Sequence, residues 1–242
     1  MHAATTSLQL LGSFRLRVGR NVAQVPLQAQ RLLAYLALNE VLTSRQHLAE
    51  RLWPYATLSR AHANLRTALW RIRSEAPTSI NANTATVGLD HLVVVDYREL
   101  VKNAAVHYDQ PSDTFETVEM LRNDLLPGWD EEWLLVERER ARQLRMRRLE
   151  DLSRQYLDSH DVAAAIEAAY ASIEIEPLRE SAHLALIEAH VCDGNLAEAA
   201  NQTLRLARLV HSELGITPSA HFCKRLADLG LDSIHVKRAV GT

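Results

Sequence analysis

The residues best equipped for chemistry lie between Leu58 and Ala76, LSRAHANLRTALWRIRSEA, where Arg60, Arg66, Arg71 and Arg73 face a single acid, Glu75. Wound at about 100° per residue, Ala61, Leu65, Ala68, Leu69 and Ile72 share one side of a helix. Arg60, Ala63, Thr67, Arg71 and Ser74 fall opposite, with Arg66 and Arg73 on one flank and Asn64 on the other. Such a helix packs by a narrow apolar stripe and turns a cationic, hydrogen-bonding face outward. Guanidinium groups pair with phosphates and guanine edges in a major groove, and asparagine can read adenine. Arg60 and Arg71, nearest the exposed centre, are therefore the first candidates for base or phosphate contact, with Asn64 and Thr67 beside them. Arg66 and Arg73 suit either a phosphate or an ion pair with a neighbouring helix. The alternative for the whole stretch is an amphipathic helix that is simply solvated. Trp70 is turned outward by the same angles; because bare indoles are rare, it is expected to lie against a neighbouring strand.

The segments on either side must position this helix. Ser7 to Val18 alternates apolar and polar residues, and Gly19-Arg20-Asn21 turns it into Val22 to Leu27, a β-hairpin pattern. Gln28 to Glu40, apolar at Leu32, Leu33, Leu36 and Ala37, predicts a packed helix; Ser44 caps a second one through Leu52, stopped by Pro54. Ser59 is the expected N-cap of the arginine-rich helix. Thr78 to Asp96 returns to strand composition, with Asn81 to Thr84 as a hairpin tip. Hairpin, three helices, hairpin is the order of a winged helix whose third helix reads DNA. The tip carries no Arg or Lys, so Asn81, Asn83 and Thr84 are at most neutral contacts. Arg31 and Arg45, near helix starts, suit surface charge or phosphate contact.

Charge is unevenly divided. Residues 1 to 100 hold 11 Lys+Arg against 6 Asp+Glu, whereas residues 101 to 242 hold 16 against 24. A basic front and an acidic back suggest that one part meets a polyanion and the other does not. The N-terminus lacks the basic start and apolar run of a secretory signal, and no apolar stretch approaches membrane-helix length. Cys192 and Cys223 suit a reducing compartment, so a cytoplasmic location is expected.

Enzyme chemistry finds no support in the residues. The eight glycines are scattered, without a phosphate-cradling loop, and no nucleophile sits in an elbow or triad context. His183, His190 and Cys192 lack the paired spacing of zinc frames and read as packing or surface residues. No catalytic residue, cofactor or metal is expected.

Beyond residue 96 strand composition disappears. Helices are expected over Tyr97 to Tyr108, Thr114 to Asn123 and Glu131 to Ser159, with a loop at Asp109 to Asp113. The charge-dense Glu137 to Arg148 section reads as a solvated, ion-paired face. Asp161-Val-Ala-Ala-Ala and Asn195-Leu-Ala-Glu-Ala then lie 34 residues apart, the period of tetratricopeptide helix pairs. Stacked pairs of that kind leave a concave surface for a partner or simply stabilise the chain. The fold class is thus mainly α with a small β component. A winged helix-turn-helix over residues 1–96 precedes an all-α, tetratricopeptide-like domain over residues 97–242.

LWPYATLSRAHANLRTALWRIR resembles the DNA-binding helices of the Streptomyces antibiotic regulatory protein family. LLPGWDEEWLLVERERARQLRMRRLEDLS, IEPLRESAHLALIEAH and ELGITPS resemble the bacterial transcriptional activator domain that follows those helices. The likeness runs from about Leu8 to Leu229, and its most specific phrase is LLPGW…W…ER…R. It implies a transcription activator that binds direct repeats near a promoter, often as side-by-side pairs, and engages RNA polymerase. Leu58 to Ala76 would be the recognition helix, Ser44 to Trp53 the helix above it and Asn81 to Thr84 the wing. The nucleotide-hydrolysing and phosphopeptide-binding domains of longer members are not expected within these residues. The regulated genes would form a secondary-metabolite or other pathway cluster. DNA-contact candidates are Arg60, Asn64, Arg66, Thr67, Arg71, Arg73 and Asn83. A reading from another class is a tetratricopeptide-type interaction adaptor whose winged helix is structural or protein-binding; the charge split favours DNA.

Overall fold

The computed structural model describes residues 5–105 and 118–231. It contains two compact units, one formed by Met1–Asn103 with Asp124–Arg138, the other by Ala104–Asn123 with Glu139–Thr242. The first unit extends past the boundary read at residue 96 and takes in a later stretch of chain.

That unit begins with β1 (Thr6–Gln9), β2 (Arg15–Val18) and β3 (Asn21–Ala23), an antiparallel meander with Leu8 opposite Leu16 and Arg17 opposite Val22. Helices α1 (Leu27–Leu38), α2 (Arg45–Leu52) and α3 (Leu58–Glu75) follow, with the short strand β4 (Thr43–Ser44) before α2. Strands β5 (Ile80–Ala82) and β6 (Thr86–Leu89) form the second hairpin, and β4 pairs with β6. The periodicity is realised in the core: Leu32, Leu33 and Leu36, Leu48 and Leu52, and Leu65 and Ile72 are all buried. Each such side chain contributes about 1.5–3 kcal/mol by leaving water.

Several local expectations are corrected. Ser7 to Val18 is two strands, because after β1 the amides of Leu10 and Leu11 donate to the Asp96 carboxylate, at 2.9 Å each, and Gly12 at φ 85° turns the chain. Asp96 lies at the start of α4 (Asp96–Ala105), where burial pushes its carboxyl pKa up while those amides pull it back. Strand β7 (Val94–Val95) leaves the second hairpin and pairs in parallel with β1. Thr57 rather than Ser59 caps α3, its Oγ1 accepting from the Arg60 amide at 3.4 Å, so the helix starts one residue before Ser59.

The LLPGW phrase completes this unit. Leu126 donates its amide to the Leu10 carbonyl at 2.9 Å, and Gly12 donates to the Asp124 carbonyl at 2.7 Å. Arg138 donates to the Leu125 carbonyl at 3.0 Å and to that of Leu126. Trp129 stacks on Phe14 at 6.0 Å between centroids, and Trp133 meets Tyr35 edge-on at 5.3 Å. Arg31 is not a surface charge: its guanidinium pairs with Glu131 at 2.5 Å and donates to the Leu52 carbonyl at 2.8 Å.

The second unit is helical: α5 (Val118–Arg122), the larger part of α6 (Leu135–Asp158), α7 (Val162–Ile175), α8 (Glu180–Cys192), α9 (Leu196–Leu214) and α10 (Ala220–Asp228). A short 3-10 turn, Glu132–Leu134, leads into α6. The 34-residue repeat appears as matched N-caps: Asp161 accepts from the Ala164 amide at 3.1 Å and Asn195 from Glu198 at 3.4 Å. Alanines 165, 168, 169 and 171 of α7 are fully buried, the small contacts that antiparallel helices need to approach closely. Leu184, Ile187, Leu206, Val210, Phe222 and Leu226 form the core farther along. In ELGITPS, Gly215 ends α9 at φ 69° and Ser219 caps α10 while its amide donates to Glu180 at 2.7 Å. In LRESAH, Arg179 at 2.5 Å and Ser181 at 3.0 Å satisfy the buried carboxylate of Glu150.

The solvated reading of Glu137 to Arg148 holds only in part. Arg142 pairs with Glu139 and Glu176, and with Gln143 holds the Glu139 carboxyl down to about 2. Arg145 and Arg148 are buried instead, Arg145 donating to the Arg122 carbonyl at 3.1 Å. The expected loop at Asp109 to Asp113 lies outside the described residues. Both cysteines are free thiols.

Candidate nucleic-acid interface

Helix α3 is held by Ala61, Leu65, Ala68, Leu69 and Ile72, all buried, the stripe read from the sequence. That single-sided anchorage leaves Arg60, Arg66, Thr67, Arg71 and Arg73 exposed, with Asn64 half-buried at the edge. Among the described residues no carboxylate pairs with Arg60, Arg66, Arg71 or Arg73. Four cations without counter-charges along one helix concentrate positive potential there.

The individual side chains are not equally available. Arg60 stands at the start of α3 beside a cleft of about 1030 Å³ that Arg51, Trp53, Tyr55 and Trp133 also line. Thr67 spends its hydroxyl proton on the Ala63 carbonyl at 3.1 Å, leaving its oxygen as an acceptor. Arg71 lies over the Trp70 ring, 4.9 Å from the centroid. Trp70 itself is 61% exposed, so the expectation that a strand covers it fails. The Arg71 guanidinium covers one face of the ring.

The hairpin of β5 and β6 supplies the wing. Asn83 does not extend its carbonyl oxygen outward: Oδ1 accepts from the Ala85 and Thr86 amides, both at 2.8 Å, and shapes the turn. Only its side-chain amide group is left to meet a ligand. The tip is nonetheless flanked by cations. Arg45 Nε donates to the Asn83 carbonyl at 2.8 Å, and Arg73 donates to the Ala82 carbonyl at 3.4 Å. Each arginine uses one N–H on the wing backbone and retains others in a planar fork suited to phosphate oxygens. From the sequence Arg45 reads as surface charge or a phosphate contact; its place beside the wing is set by the pairing of β4 with β6, Ser44 opposite Thr86. Local periodicity carries no trace of that pairing.

Outside this face the described residues hold no cluster of His, Cys, Asp or Glu arranged for a metal ion. His183 is a core residue, bonded to Pro177 and Gln202. Among the described residues no helix is long and apolar enough to cross a membrane.

Residues 99–227, more than half of the chain, match the family model described as the bacterial transcriptional activator domain. The fold is similar to that of Mycobacterium tuberculosis EmbR, solved in complex with a low-affinity phosphopeptide. The TM-score is 0.66 at 15% identity, and the likeness covers 98% of this chain and 68% of that one. No curated protein matches the sequence. The matched residues include the LLPGW, LRESAH and ELGITPS phrases, and the chain belongs to the bacterial transcriptional activator domain family.

Proposed function

We propose that the chain activates transcription by binding duplex DNA sequence-specifically through α3. Arg60, Arg66, Arg71 and Arg73, with Asn64 and Thr67, reach the major groove. Arg45, Arg73 and the Asn83 amide meet the backbone at the wing. In this reading residues 1–96 carry the DNA-contacting groups and residues 97–242 engage RNA polymerase. The sites are direct repeats near a promoter, occupied by side-by-side pairs, formed either before or upon DNA binding. The controlled genes encode a secondary-metabolite or similar pathway. The observation that supports this best is the exposure of four arginines without acidic partners on a helix anchored by its opposite side.

A salt titration of gel-shift affinity tests it. Wild-type binding should fall steeply with salt, as expected when phosphate contacts release counterions. Arg71→Ala should cost about 1–3 kcal/mol and relax preference at one base pair if Arg71 pairs with guanine. Arg60→Ala and Arg71→Ala together, leaving affinity untouched, would remove α3 as the reader. No binding even at low salt would instead favour the tetratricopeptide-type adaptor, whose winged helix meets protein.

A further inference from the structure

Trp70 stands near the middle of the outward side of α3, 61% exposed, among Arg66, Thr67, Arg71 and Ser74. Thr67 and Arg66 lie three and four residues before it, so their side chains flank the ring on the helix surface. An indole that size gains by leaving water, yet Trp70 is largely exposed, with the Arg71 guanidinium over its ring. The Arg71 guanidinium, 4.9 Å from the ring centroid, holds one face and restrains both side chains. The ring edge and its other face point where a ligand of α3 would lie. In a major groove the one apolar feature on a base edge is the C5-methyl of thymine.

We propose that Trp70 is a specificity-determining residue that packs on thymine methyl groups, while Arg71, steadied against the same ring, takes a neighbouring guanine or phosphate. The proposal rests on α3 being the DNA-contacting helix. Arginine supplies hydrogen-bonding discrimination and charge; the indole supplies the apolar contact that those arginines cannot make. Trp70→Phe keeps an apolar ring, whereas Trp70→Ala removes it.

Two measurements on the full chain test the assignment. Duplexes selected by the wild-type chain from a random pool are resynthesised with single thymines replaced by uracil, which deletes only the methyl. Uracil at one or two positions should weaken wild-type binding about fourfold, the worth of one buried methyl-sized group. Trp70→Ala should bind thymine and uracil duplexes equally, and Trp70→Phe should keep part of the difference. In parallel, acrylamide quenching follows the tryptophans: Trp53 and Trp133 are buried and Trp129 is half-buried, so Trp70 dominates the accessible emission. Selected DNA should shield that emission, and Trp70→Phe should abolish the shielded part. Melting temperature confirms that each variant is folded. Tight DNA binding with Trp70 still open to acrylamide and no uracil effect overturns this proposal while leaving α3 as the reader. Failure of the wild-type chain to retain any duplex at low salt removes the underlying reading. Shielding of Trp70 by self-association without DNA assigns the ring to a protein contact and overturns the proposal too.

Discussion

His183 is 1% exposed between α8 and α9, with Nε2 2.8 Å from the Pro177 carbonyl and Nδ1 2.7 Å from Gln202 Nε2. An acceptor at one nitrogen and a donor at the other fit the neutral imidazole protonated at Nε2. Burial pushes its pKa below the ordinary 6.5, against a smaller upward pull from the Pro177 carbonyl. Because the folded pKa is lowered, the unfolded chain takes up the proton first. Stability from this group is complete above about pH 6.5 and lost as pH falls below it, approaching about 1.4 kcal/mol per pH unit. His183→Asn should show a shallower decline in melting temperature between pH 7 and 5 than wild type; parallel curves would refute the assignment. The residue's type and position were legible in the sequence, but its partners, donated by a turn and by the next helix, were not. The same holds for Arg145: it sits in a run that reads as solvated, whereas it is buried and donates to the Leu121 and Arg122 carbonyls of another helix.

At the scale of elements, α2 and α3 were legible from a one-sided apolar stripe, and α1 from an apolar run of helical length whose residues 32–37 are all buried. The caps were read less well. Thr57 and Ser59 both carry a hydroxyl, and the choice between them lies in the backbone after Pro54 rather than in composition. Strand β7 was misplaced for a different reason. Its two residues are too few for a pattern, and their partners, Ser7 and Leu8, lie at the other end of the unit. The wing is where this matters for the proposed DNA contact, since the cations beside it come from α2 and α3 rather than from its own tip. Arg45→Ala should therefore weaken binding to all duplexes alike and lower the salt slope by about one, the mark of a lost phosphate contact. A change in base preference with an unchanged slope, read by salt titration on a set of duplexes, would contradict the backbone role.

On the scale of the whole molecule, the mainly helical class, the basic front and the 34-residue repeat were all visible in the sequence, because each is a property of stretches rather than of contacts. The limits of the first compact unit were not visible. Asp124, LLPGW and the following turn read as part of the helical region, yet the backbone of Asp124 and Leu126 bonds to Gly12 and Leu10 and the indoles of Trp129 and Trp133 go to Phe14 and Tyr35. A gene fragment stopping at codon 96 therefore removes α4, with its buried Tyr97 and Leu100, together with the LLPGW lid. It should bind an apolar dye and melt without cooperativity, where the full chain melts sharply; a sharp transition from the fragment would show the lid to be dispensable. Under the proposed function, evolution cannot shuffle this unit as a simple cassette, because its last wall begins at Asp124, downstream of α5, which belongs to the second unit. A chimera that exchanges DNA preference between relatives must carry both segments across together.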